Sequence, residues 1–145
     1  MDVYQLLKQD HEKAKQLFDK LGNTSDGAEK TRERLFAQLK QELELHAEVE
    51  EKHFYPALRN NKETKDLVAE ALEEHKEMKM ALKDLDAAEK TDDSWAKKLA
   101  ELKANVEHHV EEEETELFPL AQKVLDSTKA EEITQAVQKE KAAAK

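Results

Sequence analysis

The chain has 145 residues with no cysteine, two glycines and two prolines, and its 34 acidic and 24 basic residues give a net charge of −10. Without cysteine there are no disulfides, thiolate metal sites or cysteine nucleophile, and two glycines in one loop leave neither a phosphate-cradling glycine motif nor the turns of a β-sandwich. The acidic balance argues against nucleic acid and anionic membranes as partners and favours cations as ligands.

Alanine, leucine, glutamate and lysine dominate, and all are strong helix formers. Apolar residues recur three and four apart in five segments. The first carries Val3, Leu6, Leu7, His11, Ala14, Leu17, Phe18 and Leu21, and GNTSDG ends it. The second runs from about Ala28 to Arg59, with Leu35, Leu39, Leu43, His46, Val49, Glu50, His53 and Ala57 on its stripe, and RNNKET follows. The third carries Leu67, Val68, Ala71, Leu72, His75, Met78, Leu82 and Leu85. The capping stretch TDDS introduces the fourth, with Trp95, Leu99, Leu102, Val106, His109, Glu113, Glu116 and Leu120. After Asp126 a shorter helix is expected, with Thr128 and Glu131 at capping-box spacing, Ile133 and Val137 on its apolar side, and a frayed KEKAAAK end. Short connections between long amphipathic helices predict an all-α, up-down-up-down four-helix bundle over residues 1–125, with the helix or tail of 126–145 against its outside. No apolar run approaches the roughly 20 residues of a membrane span. The opening MDVYQLLKQD lacks the basic start and apolar stretch of a signal peptide, so a cytoplasmic location is expected.

The chain repeats itself. HAEVEEKHFYPAL begins at His46 and HVEEEETELFPLA begins at His109, 63 residues later, and DHEKAKQLFDKL around His11 resembles EHKEMKMALKDL around His75. Two copies of one helix hairpin would place matching residues of the second and fourth helices at one height. Histidine occupies the apolar stripe of all four main helices, at His11, His46, His75 and His109, and Glu50 and Glu113 follow His46 and His109 by one turn. A single such histidine is ordinarily a hydrogen-bonded core residue. Four of them with two inward glutamates form the pattern by which bundles hold metal, because a buried carboxylate needs neutralising and each imidazole offers a lone pair. The expected metal ligands are therefore His11, His46, Glu50, His75, His109 and Glu113, enough for two ions.

Counting about 1.5 Å per residue from the loops puts the second, third and fourth helices' ligands in one layer, whereas the first helix fits less well. His53 is read either as a partner of Glu116 behind the ligands or as a fifth histidine ligand. His108 is expected to face solvent, Trp95 to lie in the core, and Phe54 and Tyr55 to pack, with the phenol as an alternative ligand. Of Glu111 to Glu114 only Glu113 has the inward phase.

These residues together resemble the hemerythrin family, in its bacterial branch of HHE cation-binding domains: Asp10-His11-Glu12, His46 through Glu50 to Pro56, Glu74-His75, and His109 through Glu113 to Pro119. The resemblance covers about residues 4 to 122. It implies two non-haem irons joined by carboxylates and an oxo or hydroxo group, with His11, His46, His75 and His109 as terminal ligands and Glu50 and Glu113 as bridges. Manganese or zinc suits the same groups. The animal oxygen carriers of the family have a second histidine where Lys79 stands, and an aspartate five residues after the last histidine rather than Glu113 four after it. That difference points away from simple oxygen carriage. The implied function is binding or sensing of O2, NO, peroxide or iron, with a gaseous or peroxide ligand as partner. Redox turnover such as peroxide breakdown, or a metal-stabilised protein-interaction module, are the alternatives.

Overall fold

A computed structural model describes residues 1–144. The helices are α1 (Val3–Gly22), α2 (Glu29–Val49), α3 (Lys65–Ala87), α4 (Asp93–Glu112), α5 (Phe118–Val124) and α6 (Ser127–Ala143). A single wide π-turn, Glu50–Phe54, continues α2 into the short 3₁₀ turn Tyr55–Ala57, and a second, Glu113–Leu117, joins α4 to α5 as one long fourth helix. The four long helices form the up-down-up-down bundle, and α6 packs outside it on α1 and α2. Among the described residues there is no strand, and no helix is long and apolar enough to cross a membrane.

Local chemistry fixes the helix starts. Asp2 and Gln5 form a reciprocal capping box on α1, and Asp92 accepts the Ser94 amide at the start of α4. The cap of α6 is Asp126, which accepts from the Lys129 amide, rather than the expected Thr128 pair. The expected fraying of the C-terminal segment is also corrected: α6 stays helical to Ala143, and Lys145 lies outside the described residues. Leu72, read as inward, is 40% exposed.

The misfit of the first helix has a simple cause. The buried Arg32 folds back onto Thr24, donating to its hydroxyl (2.9 Å) and its carbonyl (3.3 Å). The start of α2 therefore overhangs the end of α1 by about a turn. Counted from the Thr24–Arg32 contact, His11 and His46 stand level, and their rings lie 4.9 Å apart. Arg32 also donates to the Lys90 carbonyl (2.6 Å) and lies over Trp95, tying both loops at this end together.

Two apolar clusters fill the bundle. One runs from Ala14 to Leu21, Leu35 to Ala47, Met78 to Leu85 and Trp95 to Val106. The other joins Val3, Tyr4 and Leu7 to Phe54, Tyr55, Leu58, Val68 and Phe118, and is closed by Ile133 and Val137 of α6. Each fully buried leucine contributes roughly 1.5–3 kcal/mol. Between the clusters lies a polar layer, and each of the four bundle helices crosses it at a histidine.

Candidate metal centre

The two π-turns build the layer. In each, the amide at the end of the turn donates five residues back to a glutamate carbonyl, Tyr55 to Glu50 and Phe118 to Glu113. A proline follows at once, Pro56 or Pro119, which has no N–H to continue the α-helical ladder. The extra residue advances the inward register by one. Buried positions thus run Glu50, Phe54, Tyr55, Leu58 in one half and Glu113, Leu117, Phe118, Ala121 in the other. This corrects the expectation for His53 and Glu116. Glu116 is exposed, and His53 turns away from the layer to donate to Glu140 of α6 at 2.7 Å. His108 is exposed, as read, and Trp95 is buried with its indole N–H on the Leu85 carbonyl (3.1 Å).

The six expected residues converge and all are buried. Glu50 Oε1 lies 2.9 Å from His46 Nε2 and 3.1 Å from His75 Nε2. Glu113 Oε1 lies 3.1 Å from His11 Nε2 and 3.5 Å from His109 Nε2. Each glutamate is also near one further histidine, Glu50 at 3.9 Å from His109 and Glu113 at 3.8 Å from His46. Potential ligand atoms gather into two sets, His11–His46–Glu113 and Glu50–His75–His109, each within 4.8 Å. Each glutamate thus stands between the two sets.

Each histidine is held from behind by its own carboxylate. His11 Nδ1–H donates to Glu114 (2.7 Å), His46 to Asp10 (2.9 Å), His75 to Glu51 (2.9 Å) and His109 to Glu74 (2.7 Å). An ionised carboxylate can only accept, so each bond fixes the Nδ1 proton and turns Nε2 inward as the free donor atom. Sequence reasoning missed this outer ring. The repeat contains it, since Asp10 and Glu74 precede equivalent histidines and Glu51 and Glu114 follow equivalent glutamates.

Tyr55 also belongs to the layer rather than to packing alone. Its hydroxyl donates to Glu113 Oε2 (2.6 Å) and lies 3.1 Å from Glu50 Oε1 and 3.4 Å from His75 Nε2. The equivalent position in the other half is Phe118, stacked on the His11 ring at 6.1 Å.

In the bare layer, imidazolium protons balance the carboxylates. Burial opposes a charge on His46, but Glu50, with Asp10 and Glu113, outweighs it and holds the imidazole well above its ordinary range. Burial likewise opposes charge on His109, yet Glu113, with Glu50 and Glu74, raises it to about 10. Burial would raise Glu50, and the facing His46 keeps it well below the carboxylate range instead. Burial first, then the Glu113 and Glu50 charges, push the Tyr55 phenol well up.

A bound cation fits this layer better than protons do. Glu50 Oε2 is buried without any hydrogen-bond partner, and His46 Nε2, although 2.9 Å from Glu50 Oε1, makes no aligned hydrogen bond. His75 Nε2 and His109 Nε2 face each other at 3.2 Å, where two inward lone pairs need a proton or a cation between them. Imidazole and carboxylate donors suit iron, manganese or zinc.

A cavity of about 120 Å³ reaches the layer, lined by all four histidines, by Ala14, Leu43, Met78 and Val106, and by the carboxylates of Glu42 and Glu77 with the outer-ring Asp10 and Glu74.

The comparisons with known proteins agree with this geometry. A protein from Nostoc sp. (strain PCC 7120 / SAG 25.82 / UTEX 2576) described as a DNA nickase is 30% identical over 132 residues, which is 91% of this chain. The chain spans only 37% of that relative's length. The crystal structure of a hemerythrin HHE cation binding domain-containing protein from Mycobacterium kansasii superposes with a TM-score of 0.85 at 26% identity, covering 99% of this chain and 87% of that one. The sequence model of the hemerythrin HHE cation binding domain matches residues 2–121, which include all six inward residues and both π-turns. By that match the chain belongs to the hemerythrin HHE cation-binding family and is a metal-binding, hemerythrin-like protein.

Proposed function

We propose that the polar layer holds two iron ions, one in each set of ligand atoms, and that the centre binds or senses a small neutral molecule such as O2, NO or peroxide. The observation that carries this reading is the double ring. Four imidazoles, each oriented by an outer carboxylate, present Nε2 to two inward glutamates that no lysine or arginine neutralises among the described residues. His11, His46 and Glu113 would hold one ion, Glu50, His75 and His109 the other, with the glutamates shared between them. Three protein donors per ion leave positions for an exogenous ligand, and iron supplies redox electrons when bound.

The chain's own residues do the rest. The outer carboxylates strengthen the imidazoles as donors, and Tyr55 holds a proton between the two glutamates. The cavity of about 120 Å³ has room for a molecule of a few atoms, since one water occupies about 30 Å³ of liquid. Its aliphatic side chains admit a neutral guest, and the carboxylates of Asp10, Glu42, Glu74 and Glu77 in the same lining disfavour an anion.

The nicking activity of the Nostoc protein is not carried over. The chain corresponds to 37% of that protein, and its net charge of −10 disfavours a phosphate backbone as ligand.

The test is elemental analysis of iron-reconstituted protein, with its absorption spectrum before and after reduction and exposure to NO. Two irons per chain, with charge-transfer absorption that bleaches on reduction and changes with NO, is the expected result. Fewer than one iron per chain, without such absorption, would overturn it and leave the metal-stabilised interaction module in its place.

A further inference from the structure

The two halves of the centre are built alike but are not surrounded alike. Asp10 and Glu74 are equivalent in the repeat, and each accepts from the histidine of the next helix, His46 and His109. Glu74 sits towards the surface beside the exposed His108, 3.6 Å away, and among the described residues no lysine or arginine pairs with it. Asp10 is buried, and its other oxygen, Oδ1, takes a close hydrogen bond from the ammonium of Lys141 near the end of α6. The lysine side chain is itself only 17% exposed.

This contact is a poor stability device. A largely covered ammonium loses hydration that one carboxylate offsets only in part. Ile133 and Val137 already seat α6 in the apolar cluster, and Glu140 anchors the same turn to His53. What the lysine does reach is the centre, by the line Lys141–Asp10–His46. The family match ends at residue 121, so this connection comes from outside it.

The physical effect has a definite sign. A carboxylate accepting from Nδ1–H draws that proton away from the ring and makes Nε2 a stronger donor. An ammonium on the same carboxylate withdraws part of its charge and weakens the pull. His46 is moderated in this way, whereas His109 is not. In the other set His75 has a counterpart in Lys79, which donates to Glu51 at 2.9 Å, but that lysine is 44% exposed and its charge is screened by water.

We infer that Lys141 is a positioning residue of the metal centre: through Asp10 it sets the orientation and donor strength of His46, so that the docked C-terminal helix makes one metal position differ from the other. The inference rests on the two-metal reading above.

The test is a double-mutant cycle on the full iron-loaded chain, comparing wild type, Lys141→Gln, Asp10→Asn and the double variant. The readout is the midpoint potential, followed with hydrogen exchange of α6. Removing the ammonium should leave His46 a stronger donor, favour the oxidised centre and shift the potential downward. That shift should vanish in the Asp10→Asn background, because the lysine acts through that carboxylate. No shift in Lys141→Gln, whether or not α6 keeps its exchange protection, overturns the inference. So does a shift of equal size in the Asp10→Asn background, which would assign the effect to helix docking or to long-range charge. A wild-type chain that takes up no redox-active metal overturns the two-metal reading itself.

Discussion

Replacing Glu113 with glutamine keeps the shape of the side chain and removes one of the two charges on which the layer is organised. In the metal-free protein, Glu113 is the leading attraction that lifts His109 to about 10 against the penalty of burial. An unfolded histidine titrates near 6.5, and one pKa unit is worth about 1.4 kcal/mol, so at pH 7 the His109 proton contributes at most about 4 kcal/mol to folding. Glu50 and Glu74 remain, so the variant should lose about half of that, roughly 2 kcal/mol. The raised pKa also fixes the pH dependence. Between about 6.5 and 10 the folded chain holds a proton that the unfolded chain has released. This stabilisation is complete below that window and lost as pH rises through it, at up to about 1.4 kcal/mol per unit. Urea unfolding of chelator-treated protein at pH 6, 7.5 and 9, read by helical circular dichroism, should show wild type weakening with pH and Glu113→Gln starting lower with a flatter slope. Metal content after reconstitution should fall from two ions per chain to one or fewer. A variant within about 0.5 kcal/mol of wild type at pH 7, with the same slope and full metal content, would refute the account.

Three other perturbations separate the parts of the molecule. Tyr55→Phe leaves Glu113 Oε2 buried without its 2.6 Å donor and should cost about 1–3 kcal/mol in metal-free unfolding, less once metal is bound, with metal stoichiometry unchanged. His53→Gln should likewise leave metal content at two while raising hydrogen exchange in the last turns of α6, because His53 meets Glu140 and not the layer. Leu39→Ala, at a fully buried position of the larger cluster, should cost about 2–5 kcal/mol in urea unfolding and lower the melting temperature of loaded and metal-free protein alike.

The four-helix bundle was legible because its helices obey one period over most of their length. Leu35, Leu39, Leu43 and His46 face inward as the 3.6-residue repeat demands, and so do Trp95, Leu99, Leu102, Val106 and His109. The reading failed in the same way in each half, just past the glutamate. There the π-turn inserts a residue, and the inward places pass from His53 and Ala57 to Phe54 and Leu58, and from Glu116 and Leu120 to Leu117 and Ala121. Periodicity extrapolated through a prolined segment cannot see this shift. The pairing of Glu50 with Pro56 and of Glu113 with Pro119, at identical spacing, was its only trace.

The inner six residues were legible for a different reason: a histidine or glutamate in place of leucine on an apolar stripe is costly and needs a cause. The outer four carry no such mark. In a chain with 34 acidic residues, Asp10, Glu51, Glu74 and Glu114 look by periodicity like any solvated face. Although they fall within the stretches that carry the family resemblance, their role behind the histidines shows only in their equivalence under the repeat. The repeat can, however, describe only what occurs twice. Tyr55 has Phe118 as its counterpart, and Lys141 on Asp10 has none on Glu74. A twofold scaffold alone would give two metal positions equal in donor strength. The residues that occur once therefore decide which position is easier to oxidise and where a phenol can lend a proton, and any chemistry beyond plain metal binding depends on them.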